Sequence, residues 1–274
     1  MIPRASEDGR IRLHPRFASR YLSTPRSLIV YLPPGYEGSD ARYPVLYLQD
    51  GQNLFDPATA FAGRDWRAGA TADDRICRGR VEPLIMAGIY NTGVRRISEY
   101  TPTRDPRLRK GGKAERYAQM LVREIKPFVD HEYRTRKSAA QTGVGGSSLG
   151  ALVSLVAGLA YPKVFGKLAL MSPSVWWDEH AILEVMRRRS PGPRPRVWLD
   201  AGTAEGNQPA KVIEDARLMR DAFVGLGWQP GADLRYLEAA GAGHNEEAWG
   251  ERFGEVLEYL FPGPAAEPSA GEGV

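Results

Sequence analysis

A single cysteine, Cys77, stands among 274 residues, which forbids an intrachain disulfide and any multi-cysteine zinc site. Histidine is scarce as well. Of the four, neither His131-Glu132 nor Asp178-Glu179-His180 has the H-E-x-x-H spacing that would set two ligands on one helical face, so no metal is expected. No apolar run approaches the roughly 18 residues that cross a bilayer, so no membrane association is expected. Residues 1–10 lack the basic-then-apolar layout of a secretory signal, and the expected location is cytoplasmic. The charge surplus is small, 37 basic against 33 acidic side chains, and nucleic acid is not an expected partner. The one dense basic stretch, Arg187 to Arg196, contains prolines and a glycine and reads as a solvated loop after a helix.

What the chain does have is enough apolar residue, 42%, to bury a large core. Short β-rich runs alternate with longer segments of helical period, the pattern of a mostly parallel sheet covered by helices on both faces, an α/β fold. Strands are expected at 27–32, 44–49, 84–90, 139–144, 167–171, 196–200 and 233–237. Before the fourth, Tyr117, Met120, Leu121 and Ile125 fall on one helical face; after it, Leu149 to Tyr161 is apolar nearly all round and reads as a buried helix. Two mixed-face helices, 211–226 and 246–261, complete one domain over 1–261. Residues 262–274 have little to bury and read as a disordered tail.

Between the fourth strand and the buried helix lies Gly143-Val144-Gly145-Gly146-Ser147-Ser148-Leu149-Gly150. A Walker loop would need Lys-Ser/Thr after its last glycine, where Ala151 and Leu152 stand, and the dinucleotide fingerprint has Ser148 where its third glycine belongs. The remaining pattern is the nucleophile elbow G-x-S-x-G, in which a serine occupies a strained strand-to-helix turn. Only Ser148 has glycine two residues away on both sides; Ser147 has Gly145 and Leu149. In a chain with 30 glycines the pentapeptide alone is weak, and its place between a strand and a long apolar helix is what gives it weight.

A serine hydroxyl needs a histidine to take its proton and a carboxylate to hold that histidine's tautomer, in the chain order Ser, acid, His. His14 and His131 precede Ser148. His180 reads as a solvated helix residue, whereas His244 sits in a glycine-flexed loop between the last strand and the last helix, so His244 is the expected base. For the acid, Asp200 at a strand end and Glu205 in the loop beyond compete, and spacing does not choose between them. One oxyanion donor expected is the N–H of Leu149, directly after the nucleophile; the turn at Gly51 either presents the N–H of Gln52 as the second or is an ordinary Asp-Gly turn, and the residues alone do not choose.

Several segments together resemble the Putative esterase family of α/β-hydrolases: YLPPGYE at 31–37, YPVLYLQDGQNLFD at 43–56, GIYNTGVRRISEYTP at 88–102, GGSSLG at 145–150, SPSVWW at 172–177, DAGTAEG at 200–206 and GHNEEAW at 243–249. That family groups enterochelin esterases, esterase D-type S-formylglutathione hydrolases, feruloyl and acetylxylan esterases, and mycolyltransferases. The resemblance implies an α/β-hydrolase fold, a serine esterase without cofactor and a small-molecule ester substrate. It implies Glu205 as the acid, because that residue follows the Gly202-Thr203 pair, and Gln52 as an oxyanion donor. It also implies that Arg96, Tyr100, Trp176 and Trp177 lie near the substrate mouth. One departure is Ala151, where a glycine often follows the elbow; alanine suits a helix start. Two rival functions share these motifs, acyl transfer to another alcohol and a catalytically silent hydrolase fold that only binds.

Overall fold

The computed structural model describes residues 10–188 and 192–264. Among these residues ten strands form: β1 (Ile11–Phe17), β2 (Arg26–Tyr31), β3 (Val45–Gln49), β4 (Ile85–Ile89), β5 (Arg104–Asp105), β6 (Lys110–Gly111), β7 (Thr142–Ser147), β8 (Lys167–Met171), β9 (Arg196–Gly202) and β10 (Leu234–Ala239). Among the described residues eight α-helices accompany them: α1 (Ala68–Cys77), α2 (Arg96–Tyr100), α3 (Ala114–Met120), α4 (Lys126–Glu132), α5 (Leu149–Ala160), α6 (Ala181–Arg188), α7 (Pro209–Gly225) and α8 (Glu246–Leu260).

Eight strands make one sheet in the order β1-β2-β4-β3-β7-β8-β9-β10; β2 runs antiparallel to β1 and β4, and every other pair is parallel. The central strands are buried on both faces, and their side chains alternate between two cores. On β3, Val45 and Tyr47 join one core and Leu46 and Leu48 the other; on β8, Leu168 and Leu170 oppose Ala169 and Met171. One face is covered by α8 and α1, through Trp249, Phe253, Leu257 and Ala72. The other is covered by α3 to α7, with α5 in the middle, buried along its whole length except Ala160. A helix apolar on every side needs partners on every side, and α5 has the sheet beneath it and α3 beside it.

All seven expected strands form. The fourth is displaced: residues 139–141 make a helical turn and the strand runs on through Ser147, because Gly145, Gly146 and Ser147 pair with β8. β1 gives no alternation to read, being half exposed on both sides and bulged between His14 and Phe17. Pro262 still pairs with Val81 and Gly263 donates its N–H to the Arg80 carbonyl, so contacts with the domain continue past the expected boundary at 261; residues 265–274, most of the expected tail, lie outside the described residues. Arg187 and Arg188 end α6, each paired with Glu184. No helix among the described residues is long and apolar enough to cross a membrane.

Candidate active site

The parallel strands deliver their carboxyl ends to one edge; the segments leaving β3, β7, β9 and β10 carry the expected triad and oxyanion donors, and those leaving β4 and β8 carry Arg96, Tyr100, Trp176 and Trp177. Ser148 forms the turn between β7 and α5 at φ 57°, ψ −125°, a strained conformation for a residue with a Cβ, and its N–H donates to the Met171 carbonyl at 3.0 Å. The flanking glycines are explained by β3: a Cβ on Gly146 or on Gly150 would stand 3.0 Å from the Gln49 Cβ. The turn therefore fits against β3 only where both side chains are missing.

His244, two residues before α8, brings Nε2 to 3.0 Å from the Ser148 Oγ and Nδ1 to 2.7 Å from Glu205 Oε2. Its ring lies edge-on to Trp249 with centroids 4.9 Å apart. Glu205 is buried, and its other oxygen accepts from the Ser172 hydroxyl at 2.5 Å and the Gly202 N–H at 2.6 Å. Burial pushes its carboxyl upward, but the hydrogen bonds from His244, Ser172 and Gly202 outweigh that and hold it below the usual range. Asp200, the other acid candidate, faces away from the imidazole: it pairs with Arg252 at 2.9 Å and accepts from the Trp198 indole at 2.7 Å. Burial raises its carboxyl above the usual value despite those partners.

Leu149 opens α5, and Gln52 lies in a helical turn over Gly51–Asn53; both amides belong to first turns, whose N–H groups have no intrahelical acceptor. Gly51 serves this turn by smallness rather than by its torsion. A Cβ there would fall 2.5 Å from the Gly88 carbonyl carbon on β4, while the left-handed φ of 56° belongs to Asp50.

A cleft of about 500 Å³ opens beside Ser148 and His244, lined among others by Gln52, Phe61, Arg96 and Glu246. Arg96 faces it while held by two hydrogen bonds to Asp50, at 2.8 and 2.7 Å. Tyr100 does not reach the mouth: it is fully buried under the Arg96 guanidinium, where its hydroxyl accepts the Asp50 N–H at 3.4 Å. Trp177 is likewise in the core, its indole donating to the Thr103 carbonyl at 3.2 Å, whereas Trp176 is 52% exposed and lies outside the cleft lining. Adjacent residues with opposite burial are what a turn between β8 and α6 produces. His180 is not simply solvated; its Nε2 lies 2.7 Å from Asp215 on α7.

Several neighbours of the site were not singled out from the sequence, although most fall inside the family-like segments. Ser174 places its hydroxyl 3.0 Å from that of Ser148, Asn53 donates to Glu246 at 3.0 Å, and Ser172 and Arg252 pack behind Glu205. Arg252, outside those segments, has a signal of its own, a cation on the apolar face of α8 between Trp249 and Phe253. Among the described residues no group of three or more His, Cys, Asp or Glu could hold a metal ion.

The family model described as Putative esterase matches residues 19–260. The chain belongs to the Putative esterase family. It is a carboxylic ester hydrolase. Similar proteins include the ferri-bacillibactin esterase BesA of Bacillus subtilis, 27% identical over 74% of this chain and 74% of that protein. Another is the endo-1,4-beta-xylanase/feruloyl esterase of Xylanibacter ruminicola, 24% identical over 85% of this chain but 29% of that longer protein. Among solved structures, the BES protein from Bacillus cereus superposes with a TM-score of 0.73 at 19% identity, covering 92% of this chain and 95% of that one. The enterobactin esterase FES from Shigella flexneri gives 0.72 at 19% identity over 91% of this chain and 59% of that one. These likenesses make the fold that of the α/β-hydrolases.

Proposed function

We propose that the chain hydrolyses small-molecule carboxylic esters through an acyl-enzyme on Ser148. The observation that carries this reading is the unbroken line of hydrogen bonds from the Ser148 hydroxyl through both nitrogens of His244 to the buried Glu205. With Nδ1–H given to the carboxylate, Nε2 keeps its lone pair and takes the hydroxyl proton as Oγ attacks the ester carbonyl. The oxyanion that forms is held by the N–H groups of Gln52 and Leu149. His244 then protonates the departing alcohol, activates a water against the acyl-serine and returns the proton to Oγ as the acid leaves. Glu205 remains a carboxylate throughout and steadies the imidazolium.

The relatives named above are a ferri-bacillibactin esterase and a feruloyl esterase, and both chemistries fit a reading in which the strands build the reacting edge and the segments at 53–80 and 90–112 choose the ester. With p-nitrophenyl acetate as substrate, Ser148→Ala is expected to lower kcat by at least ~10³-fold without loss of folding. Turnover within tenfold of wild type would refute the assignment.

A further inference from the structure

Behind Glu205 lies a second ionic centre that faces no part of the cleft. Arg252 of α8 is 5% exposed at its side chain; its Nη2 and Nε approach Asp200 Oδ1 at 2.9 and 3.1 Å, and Nη2 also donates to the Ser172 hydroxyl at 2.8 Å. The same Nη2 lies 3.8 Å from Glu205 Oε1. Ser172 is buried in the left-handed region at φ 42°, a conformation unfavourable for a non-glycine residue. Its hydroxyl is fully committed: the proton goes to Glu205, and its lone pairs receive the Trp249 indole and Arg252. Two buried carboxylates thus share one buried guanidinium, and the uncompensated negative charge is the one beside His244.

We propose that Asp200 and Arg252 form a charge-compensating pair, linked through Ser172, that fixes both the orientation and the ionisation of Glu205 and so sets how readily His244 takes up a proton. All three are positioning residues. The proposal rests on the Ser148–His244–Glu205 reading and adds to it the reason why two acids stand at the end of one strand. Without Asp200, Arg252 would be left with Glu205 as its carboxylate partner and would offset the charge that favours the imidazolium. Without Arg252, two buried carboxylates would face each other and one would take a proton, which falls to Asp200 because burial already raises it. The other charges turned towards His244 are Glu246 from the start of α8 and, across the cleft, Asp50 after β3 with Arg96 of α2. None of these is altered below.

The test is the pH dependence of kcat/KM for the full chain and for Asp200→Asn, Arg252→Met and the double variant, with thermal unfolding and fluorophosphonate labelling of Ser148 measured in parallel. Asp200→Asn should lower kcat with little change in KM and move the acidic limb down by about one pH unit, the effect of a unit charge nearby at an effective dielectric of about 20. Arg252→Met should leave the limb in place or move it up. The double variant should return it to within about 0.5 unit of wild type, since both charges are then gone. A folded, probe-reactive Asp200→Asn enzyme with an unmoved limb would overturn the proposal, as would a double variant displaced as far as that single one. Should Asp200→Asn fail to fold, Ser172→Ala decides: a kcat loss of about tenfold at unchanged KM is expected, and wild-type kcat overturns it. Absence of labelling in the unsubstituted chain would instead strike at Ser148 itself.

Discussion

Gly51 is a residue whose substitution separates catalysis from binding. A methyl group there would press into the backbone of β4 at Gly88, so the turn carrying Gln52 must shift and take its N–H with it. Gly51→Ala should therefore lower kcat by about 10²-fold, in the range for loss of one oxyanion donor, and cost about 1–3 kcal/mol in urea unfolding. Glu205 makes a second prediction. Its carboxyl lies below the ordinary value of 4.5 in the folded chain, so its stabilising contribution is complete above that pH and is lost as pH falls through the folded value. The stability difference between wild type and Glu205→Gln should accordingly narrow below about pH 4.5. At this scale the sequence was legible where chemistry requires a residue type at a fixed spacing: Ser148 between its glycines, and His244 after the last strand. It was not legible for Tyr100 and Trp177, because an aromatic side chain serves a core as well as a mouth, and burial is decided by long-range packing around Asp50 and Thr103.

Among the elements, α8 does the most for the site, since it follows His244 directly and supplies Trp249 and Arg252. It begins with Asn245, whose side chain accepts the Ala248 N–H at 2.9 Å, and carries Glu246 and Glu247 in its first turn, favourable to the helix dipole. Asn245→Ala should cost about 1 kcal/mol, and Asn245→Asp should restore it, both read by thermal unfolding. Because the capped turn anchors the loop that holds His244, the alanine variant should also lose activity at a temperature where it is fully folded. The helices α5, α7 and α8 were readable from local pattern, each within two residues of its expected bounds. The ten residues of α1 were not, since only Ala68 and Ala72 of that helix are buried, and β1 exists through its pairing with β2 rather than through any alternation of its own.

The whole molecule is polarised. Reactive groups gather at the carboxyl edge of the sheet, and the opposite edge is structural, as at Lys167, the first residue of β8, whose ammonium sits 4.0 Å from the centroid of the Phe261 ring. Burial lowers its pKa from 10.5 to about 8, so the folded state sheds a proton that the unfolded state keeps, and wild-type stability should rise relative to Lys167→Met between about pH 8 and 10.5 with no effect on kcat. A sheet order in which distant segments become neighbours cannot be read from local periodicity, and here the convergence of residues 148, 205 and 244 follows from β7, β9 and β10 running parallel. That convergence is the claim on which the account stands. Peptide mapping of the chain after reaction with a fluorophosphonate tests it most directly: one adduct on Ser148, abolished in His244→Ala, is the expected result, and an adduct on another serine, or none while esterase activity persists, would contradict it.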